Sequence, residues 1–274
     1  MQKFENLSPC KGLALASLAE NKAVFSTDVG KLEVTVYAEG CFRVRLGDAE
    51  VNDYGIVCAK DERLALNVVE SQDDVLCSSG EYALRLTRSP LTYSLEKNGK
   101  VVLPVTEDSH FVRKFRLPPV AATEEGWFAA LGLPFGVAVY GGGENYAGLN
   151  RRGMLLDMWN EDALGVNSSV CYKNCPFVWS PEGYGVFVNT PAYVRIGVGY
   201  QQWANQSLCL DVKDAVLDLF FLFGDTPAEI LRRYTHLTGR SAKAPVWSLG
   251  LWLSKAYYRV PAETLEAASK MREM

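Results

Sequence analysis

Clustered basic residues and long apolar runs are both scarce in this sequence. Lys and Arg (28) are outnumbered by Asp and Glu (32), the formal net charge is −4, and no basic run is longer than two residues, as in Arg151-Arg152. Phosphate backbones are bound by clustered Lys and Arg, so a nucleic-acid partner is not expected. No apolar stretch approaches the ~20 residues that span a bilayer. Residues 1–6 also lack the apolar centre of a secretory signal. These absences predict a soluble chain in the cytoplasm with no membrane partner.

Histidine is nearly absent too, which limits the metal sites that the cysteines could form. The two histidines are His110 and His236. Cys171 and Cys175 lie four residues apart, but no second cysteine pair accompanies them, so a structural zinc site is not expected. An odd number of cysteines scattered through strand-like runs is typical of reduced thiols that serve as small apolar side chains. The seven are Cys10, Cys41, Cys58, Cys77, Cys171, Cys175 and Cys209.

Residues 1–22 show no clear period, and alternation of apolar and polar residues is the dominant pattern from Ala23 to about residue 225. Residues 31–37 and 41–46 place an apolar side chain at every second position, which is the period of a half-buried strand. Glu39-Gly40 between them predicts an antiparallel hairpin, and Asn98-Gly99 predicts a tight turn. Further strands are predicted at 82–86, 91–95, 101–103, 111–117, 137–140, 177–179, 186–189, 193–198, 208–212 and 216–223. Many short strands between Gly, Pro, Asn and Asp residues indicate a mainly β protein, a large antiparallel β-sandwich.

The first helical pattern begins at Thr226. A capping hydroxyl at Thr226, a proline at 227 and Glu229 three residues after the cap predict a helix whose first backbone donors are satisfied reciprocally. Gly239 supplies a stop signal. One helical face is expected to carry Ile230, Leu231, Tyr234 and Leu237.

The last 34 residues have a different pattern. Residues 247–253 are apolar on both faces, which favours a strand of a parallel sheet, and residues 261–271 have helical composition. One strand and one helix make a single unit of an α/β barrel and cannot cover their own sheet edges. We therefore expect a sandwich domain at 1–240 and the start of a truncated (β/α)8 barrel at 241–274. This last part is expected to be mobile, swapped or laid over the apolar surface of another molecule, because Leu251 and Leu253 otherwise face water.

Residues 140–187 hold the most specific chemistry. Three glycines at 141–143 follow a strand-like run and allow positive φ and close backbone approach. Tyr146 occupies the last position of Gly-x-Gly-x-x-Gly, so neither a dinucleotide site nor any other cofactor is expected. Trp159, Asn160, Glu161 and Asp162 combine an aromatic face with an amide and carboxylates, which suits a sugar ring. The alternative is a loop whose Trp159 caps a core and whose acids are solvated.

Seven motifs in one order resemble glycoside hydrolase family 31, the α-glucosidases and α-xylosidases. They are Tyr-Gly-Gly-Gly-Glu at 140–144, Trp-Asn-Glu-Asp at 159–162, Tyr-Lys-Asn-Cys-Pro-Phe at 172–177, Gly-Tyr-Gly-Val-Phe-Val-Asn at 183–189, Phe-Gly-Asp-Thr-Pro at 223–227, Arg-Tyr-Thr-His-Leu-Thr-Gly-Arg at 233–240 and Pro-Val-Trp-Ser-Leu-Gly-Leu-Trp-Leu at 245–253. The residues of the second and third motifs resemble those of the bacterial α-xylosidase-like branch more than those of the lysosomal or intestinal α-glucosidases. Residues 1–135 carry no motif of their own, but their strand pattern suits an N-terminal portion of the family.

The resemblance implies a galactose-mutarotase-like sandwich that leads into a (β/α)8 barrel, and retaining hydrolysis of an α-linked xyloside or glucoside. That mechanism needs two carboxyl groups about 5 Å apart. In the family both are aspartates on later barrel strands, positions that would follow Met274. No catalytic residue is therefore expected within the chain, and these residues by themselves are expected to be inactive.

Three substrate-binding residues follow from the resemblance. Asp162 matches a loop acid that touches sugar hydroxyls, and Tyr257 matches an aromatic residue that lines the same pocket. Trp159 lies three residues before Asp162 in the same motif. Each has a structural alternative: a solvated acid for Asp162, a barrel-edge residue for Tyr257 and a packing role for Trp159. The expected partner is an α-linked oligosaccharide or glycoside.

Two other functions remain open from the sequence. The chain could be a stand-alone carbohydrate-binding or mutarotase-like module, although mutarotation needs a general acid and base. The two histidines are poorly placed to act as a general acid or base, because His236 lies on the predicted helix and His110 lies near the start of a strand. The chain could also be a structural domain that forms a homo-oligomer.

Overall fold

The computed structural model describes residues 6–50, 54–106, 117–163, 171–252 and 257–273. Contacts divide the chain into two compact units, Met1–Gly239 and Arg240–Met274. His110 and most of the strand predicted at 111–117 lie outside the described residues, and so does Leu253. Within these ranges, no helix has the length and apolar character needed to cross a membrane.

The described residues form nineteen β-strands and two α-helices. The strands are β1 Ser8–Pro9, β2 Ala14–Leu18, β3 Lys22–Thr27, β4 Gly30–Ala38, β5 Cys41–Leu46, β6 Asn67–Glu70, β7 Asp74–Ser79, β8 Tyr82–Arg88, β9 Leu91–Lys97, β10 Lys100–Leu103, β11 Val120–Thr123, β12 Gly126–Gly132, β13 Tyr140–Gly143, β14 Met154–Met158, β15 Asn174–Ser180, β16 Tyr184–Val188, β17 Val194–Val198, β18 Ser207–Val212 and β19 Leu217–Phe223. The helices are α1 Pro227–Thr238 and α2 Pro261–Glu273.

Three antiparallel sheets organise these strands. Their orders are β13-β15-β16-β19-β5-β4-β3-β2, β1-β11-β12-β18-β17-β14 and β10-β9-β8-β7-β6. β4 and β5 pair across the turn at Glu39-Gly40, as predicted. The turn between β9 and β10 has positive φ at both Asn98 (49°) and Gly99 (73°), which matches the twist of an antiparallel hairpin. The mainly β, antiparallel fold is confirmed.

One apolar core joins the three sheets. Its largest fully buried side chains include Phe25 and Phe221 of the eight-stranded sheet and Tyr93 of the five-stranded sheet. The rings of Tyr93 and Phe221 lie 5.8 Å apart. All seven cysteines are free and five of them are buried. The inward-facing side chains of the alternating strands therefore make the interior of a sandwich.

Helix α1 covers part of the outer face of the eight-stranded sheet. Ile230 and Leu237 are buried there, and the Tyr234 ring stacks on Phe177 with centroids 4.0 Å apart. Leu231 was expected on the same face, but it is 41% exposed. It follows Ile230 by one position, a rotation of ~100° around a helix of 3.6 residues per turn, which turns it away from the sheet.

The start of α1 uses the predicted capping residues with one difference. The Thr226 hydroxyl accepts a hydrogen bond from the Glu229 backbone N–H at 3.3 Å. The Glu229 carboxylate accepts from the backbone N–H of Asp225 at 2.9 Å, one residue before the cap. Gly239 ends the helix with φ of 92°.

In the second unit, the apolar run forms a short 3-10 helix, Val246–Leu249, where a strand was predicted. The backbone N–H of Ser248 donates to the Pro245 carbonyl at 3.0 Å, a local bond that needs no neighbouring strand. Trp247 is 82% exposed and Leu251 is 86% exposed. The helix predicted after residue 260 is present as α2. A single apolar segment cannot form a sheet by itself, so the predicted strand fails in the described part of this unit.

Candidate functional site

The three consecutive glycines of β13 bring its backbone close to its neighbours. Gly141, Gly142 and Gly143 have φ of 107°, 81° and 79°. A Cβ at residue 141 would lie 2.4 Å from the Phe177 carbonyl oxygen, and one at residue 143 would lie 2.2 Å from the Lys173 carbonyl oxygen. The predicted positive φ and close approach are confirmed, and only glycine satisfies both at this pairing of β13 with β15.

A buried arginine holds the glycine-rich segment. The Arg151 side chain donates to the carbonyl oxygens of Gly141 at 2.9 Å, Gly148 at 3.0 Å and Gly143 at 3.3 Å. Burial lowers the pKa of Arg151 from its ordinary value. In the sequence Arg151 stands out only as part of a short basic run, and this role was not predicted. Its position beside several glycines, whose carbonyls are open to approach, was the available signal.

Asn174, the first residue of β15, ties the Trp159 segment to the sheet. Its side-chain amide donates to the carbonyl oxygen of Trp159 at 2.8 Å and to that of Cys171 at 3.3 Å. Its backbone N–H donates to Asn160 Oδ1 at 2.7 Å, and its Oδ1 accepts from Asn145 at 3.3 Å. The loop after β14 is therefore held by directed bonds from a strand.

Asp162 lies on the same loop and is exposed. The Tyr172 hydroxyl lies 2.7 Å from Asp162 Oδ1 and 2.9 Å from the Ala163 carbonyl oxygen, so it can donate to either. The hydrogen bond to Asp162 raises the pKa of Tyr172. Among the described residues, Oδ2 of Asp162 has no hydrogen-bond partner, and an ionised carboxylate retains several acceptor positions. Tyr172 belongs to the motif at 172–177, but its contact with Asp162 was not predicted from the sequence.

Trp159 is 53% exposed, and its edge contacts the Tyr193 ring at 6.2 Å between centroids. The Tyr193 hydroxyl donates to Asp157 Oδ1 at 2.5 Å. Burial, together with this bond, raises the pKa of Tyr193 to about 12. Trp159 and Asp162 thus share one surface loop, and neither is sealed inside the sandwich.

A cavity of about 450 Å³ lies next to this loop. Asn160 and Asn174 provide amide groups to it, and Trp159 and Phe187 provide aromatic surface. Its lining is Ile56, Met158, Trp159, Asn160, Asn174, Cys175, Pro176, Phe187, Thr190, Pro191, Ala192 and Tyr234. No carboxylate is among them. Apolar walls with a few directed polar groups suit a ligand that has both an apolar ring face and hydroxyl groups.

Tyr257 and His236 are the other predicted residues that the structure describes. Tyr257 belongs to the second unit, in which its side chain is 63% exposed. His236 on α1 lies 3.2 Å from Glu62, and both side chains are about half exposed. In the described ranges, no group of three or more His, Cys, Asp or Glu side chains is arranged to hold a metal ion.

A family model described as the glycosyl hydrolase 31 N-terminal galactose mutarotase-like domain matches residues 31–196. An α-xylosidase from Emericella nidulans is 40% identical over 129 residues, which cover 47% of this chain and 16% of that enzyme. An α-glucosidase 2 from Bacillus thermoamyloliquefaciens is 23% identical over 268 residues, covering 94% of this chain and 32% of that enzyme.

A solved structure with the same fold is a family 31 dextranase from Flavobacterium johnsoniae, in complex with isomaltotriose. It matches with a TM-score of 0.77 and 21% identity, over 99% of this chain and 33% of the dextranase. The chain spans about a third or less of the length of these relatives.

Proposed function

Because the chain belongs to glycoside hydrolase family 31, we propose that it forms the N-terminal sandwich of a retaining α-glycosidase. The substrate class is an α-linked xyloside or glucoside. The 40% identity to an α-xylosidase supports a xyloside as the substrate, and the longer alignment with an α-glucosidase supports a glucoside.

In this proposal, Trp159 and Asp162 contact the substrate. The observation that carries it is their joint exposure on one loop that Asn174 and Tyr172 hold in place. An indole face stacks on the C–H face of a sugar ring, and Oδ2 of Asp162 accepts from a hydroxyl. Tyr257, whose side chain is also exposed, is proposed as a third contact.

The sandwich supplies binding groups and leaves the cleavage to carboxylates of the catalytic barrel. Retaining hydrolysis needs a carboxyl pair about 5 Å apart. The described lining of the cavity beside Trp159 contains amides, a thiol, hydroxyls and apolar side chains but no carboxylate. We therefore expect the 274 residues alone to have no hydrolase activity.

Mutarotation is the alternative from another class of function. It requires a general acid and base at the sugar. His236 and Glu62 form a pair, but they are not among the residues that line the cavity. No observation favours this alternative over the glycosidase domain, or favours a purely structural domain.

The test is an assay with 4-nitrophenyl α-xyloside and α-glucoside. The 274-residue protein should release no nitrophenol above background. A family 31 polypeptide that carries this sandwich with its barrel should hydrolyse at least one of the two. In that polypeptide, Asp162→Asn and Trp159→Ala should each lower kcat/KM by about tenfold or more, equivalent to ~1.4 kcal/mol of transition-state binding.

Lys173→Gln is the matched control. Lys173 follows Tyr172 in the chain and is exposed, and its ion pair with Glu144 at 3.2 Å is solvated, so kcat/KM should not change. Turnover by the 274 residues alone would refute the proposed division of roles. Unchanged kinetics in both Asp162→Asn and Trp159→Ala would refute the substrate contact.

A further inference from the structure

A second cavity, of about 310 Å³, opens on the outer face of the eight-stranded sheet. Lys22 of β3, Thr35 of β4 and Arg43 of β5 are directly opposite one another across the three strands. Residues opposite one another in an antiparallel sheet share a face, so the three side chains form a row. Arg45, two residues after Arg43, lies on the same face. The segment from Asp61 to Arg63 adds two more lining residues.

The wall of this second cavity is firmly placed. Both carboxylate oxygens of Asp61 accept from the Asn21 side-chain amide, at 2.9 and 2.8 Å. Oδ1 of Asp61 also accepts from the backbone N–H of Arg63 at 2.8 Å. These bonds satisfy the Asp61 carboxylate from within the protein. They also position the Arg63 side chain at the opening.

Positive charge exceeds negative charge around the second cavity. Lys22, Arg43, Arg45 and Arg63 line it, whereas Asp61 is the only carboxylate in the described lining. Arg43 is neutralised by Asp218, with Nη2 and Oδ2 2.6 Å apart. The other side chains retain unused donors.

Glu33 forms ion pairs with two of the cations that line the cavity. Lys22 Nζ lies 3.1 Å from its Oε2, and Arg45 Nη2 lies 2.8 Å from its Oε1. Burial acts to raise the pKa of Glu33, but these cations and Lys31 hold it below its usual range. The described residues offer no hydrogen bond or ion pair to the Arg63 guanidinium. One shared carboxylate leaves donor groups of Lys22, Arg45 and Arg63 for a ligand.

Thr35 contributes a hydroxyl group to the lining of the second cavity. Thr35 is 7% exposed and lines the cavity. Among the described residues, its hydroxyl has no hydrogen-bond partner. A hydroxyl group that lines an open cavity can donate a hydrogen bond to a group bound there. A ligand oxygen above Thr35 would accept this bond.

We propose that the second cavity binds a small ligand through an oxyanion, a carboxylate or a phosphate group. Thr35, Lys22, Arg45 and Arg63 donate to its oxygens. Guanidinium and ammonium groups form their strongest hydrogen bonds with such oxygens. The volume of about 310 Å³ is at the lower end for ligand pockets and accommodates a monosaccharide that bears the charged group. Neither Trp159 nor Asp162 lines this cavity, so the proposal is independent of the proposed function.

The test uses the whole 274-residue protein and isothermal titration at fixed ionic strength. The probes are glucuronate, glucose 6-phosphate, inorganic phosphate and neutral glucose. At least one of the three anions should bind, and glucose should not. Thr35→Val, which keeps the side-chain shape, and Arg63→Gln, at an exposed position, should each weaken binding about tenfold. Lys100→Gln, which removes an exposed cation from β10, should leave the dissociation constant unchanged.

Each outcome decides the question. Binding of glucuronate but not of the phosphates would support a carboxylate ligand, and the reverse would support a phosphate ligand. Absence of binding by all three anions would overturn the proposal. If glucose bound as tightly as the anions, the cavity would recognise sugar hydroxyl groups and not an oxyanion, and the proposal would also be overturned. An equal loss in Lys100→Gln and Arg63→Gln would show only diffuse attraction and would count against the site. Unchanged thermal unfolding of Thr35→Val shows that a loss of binding is local.

Discussion

Replacement of Gly143 by alanine tests whether close backbone approach organises the Trp159 loop. Gly143 pairs with Asn174, the residue whose side chain holds the carbonyl of Trp159. An alanine Cβ would lie 2.2 Å from the Lys173 carbonyl oxygen and 2.7 Å from the Cys175 nitrogen, and both are backbone atoms. Backbone atoms in a paired strand cannot move aside as a side chain does. The substitution should therefore separate β13 from β15.

The expected cost has two parts. An alanine with φ near 79° carries a strain of about 1 kcal/mol, and overpacking adds about 3 kcal/mol. The sum of about 4 kcal/mol is a large fraction of the usual 5–15 kcal/mol stability of a domain. At ~2–4 °C per kcal/mol for a large domain, the midpoint of thermal unfolding should fall by about 10 °C.

Gly153→Ala is the matched control for this experiment. Its φ of 85° imposes similar strain, but a Cβ there would have no atom within 4 Å. The midpoint should fall by only about 3 °C, the share that strain alone explains. Calorimetry measures both variants. Acrylamide quenching of the Trp159 emission, taken as the difference from Trp159→Phe, should increase in Gly143→Ala only. Equal losses of the midpoint in the two variants would refute the reasoning.

Two further predictions concern the stability of the sandwich. Arg43→Met should destabilise it by about 3–5 kcal/mol in urea denaturation, because it leaves the Asp218 carboxylate buried without its cation. Adding Asp218→Leu should restore much of this loss, and a double variant as unstable as the single one would contradict the explanation. Burial raises the pKa of Tyr184 and Tyr193 to about 12, above the unfolded value of about 10. At a pH between 10 and 12 the unfolded chain binds fewer protons than the folded protein, so the free energy of unfolding should fall as the pH rises through this range. A free energy of unfolding that does not change between pH 10 and pH 12 would contradict this.

Local sequence signals predicted much of the sandwich. Asn98-Gly99 supplies two residues that tolerate positive φ, and the cap at Thr226 pairs a hydroxyl with a nearby glutamate. Both depend on neighbours in the chain, so they are visible without the fold. Over residues 247–252, the part of the predicted strand that the structure describes, no strand forms for the opposite reason, because a strand requires a partner that the sequence pattern does not specify.

The candidate site was only partly accessible from the sequence. Trp159 and Asp162 were identified through their motif, and the structure adds that both are exposed on one loop. The supporting residues Arg151 and Asn174 were missed. Their roles come from hydrogen bonds to backbone carbonyl oxygens. Every residue type has such an oxygen, so only the glycines near Arg151 gave a signal, and nothing comparable marked Asn174.

The sequence by itself determined the alternation that makes strands, the turns that join them, the glycines of β13 and the family to which the chain belongs. Only the tertiary structure decided that Arg151 holds the glycines of β13, that Asn174 supports the Trp159 loop, and that Thr35 and four cations surround a cavity on the outer sheet face. The physical reason is the distance along the chain over which each interaction acts. Turn and cap preferences act between residues a few positions apart, whereas a site is made by side chains that strand pairing brings together from distant parts of the chain.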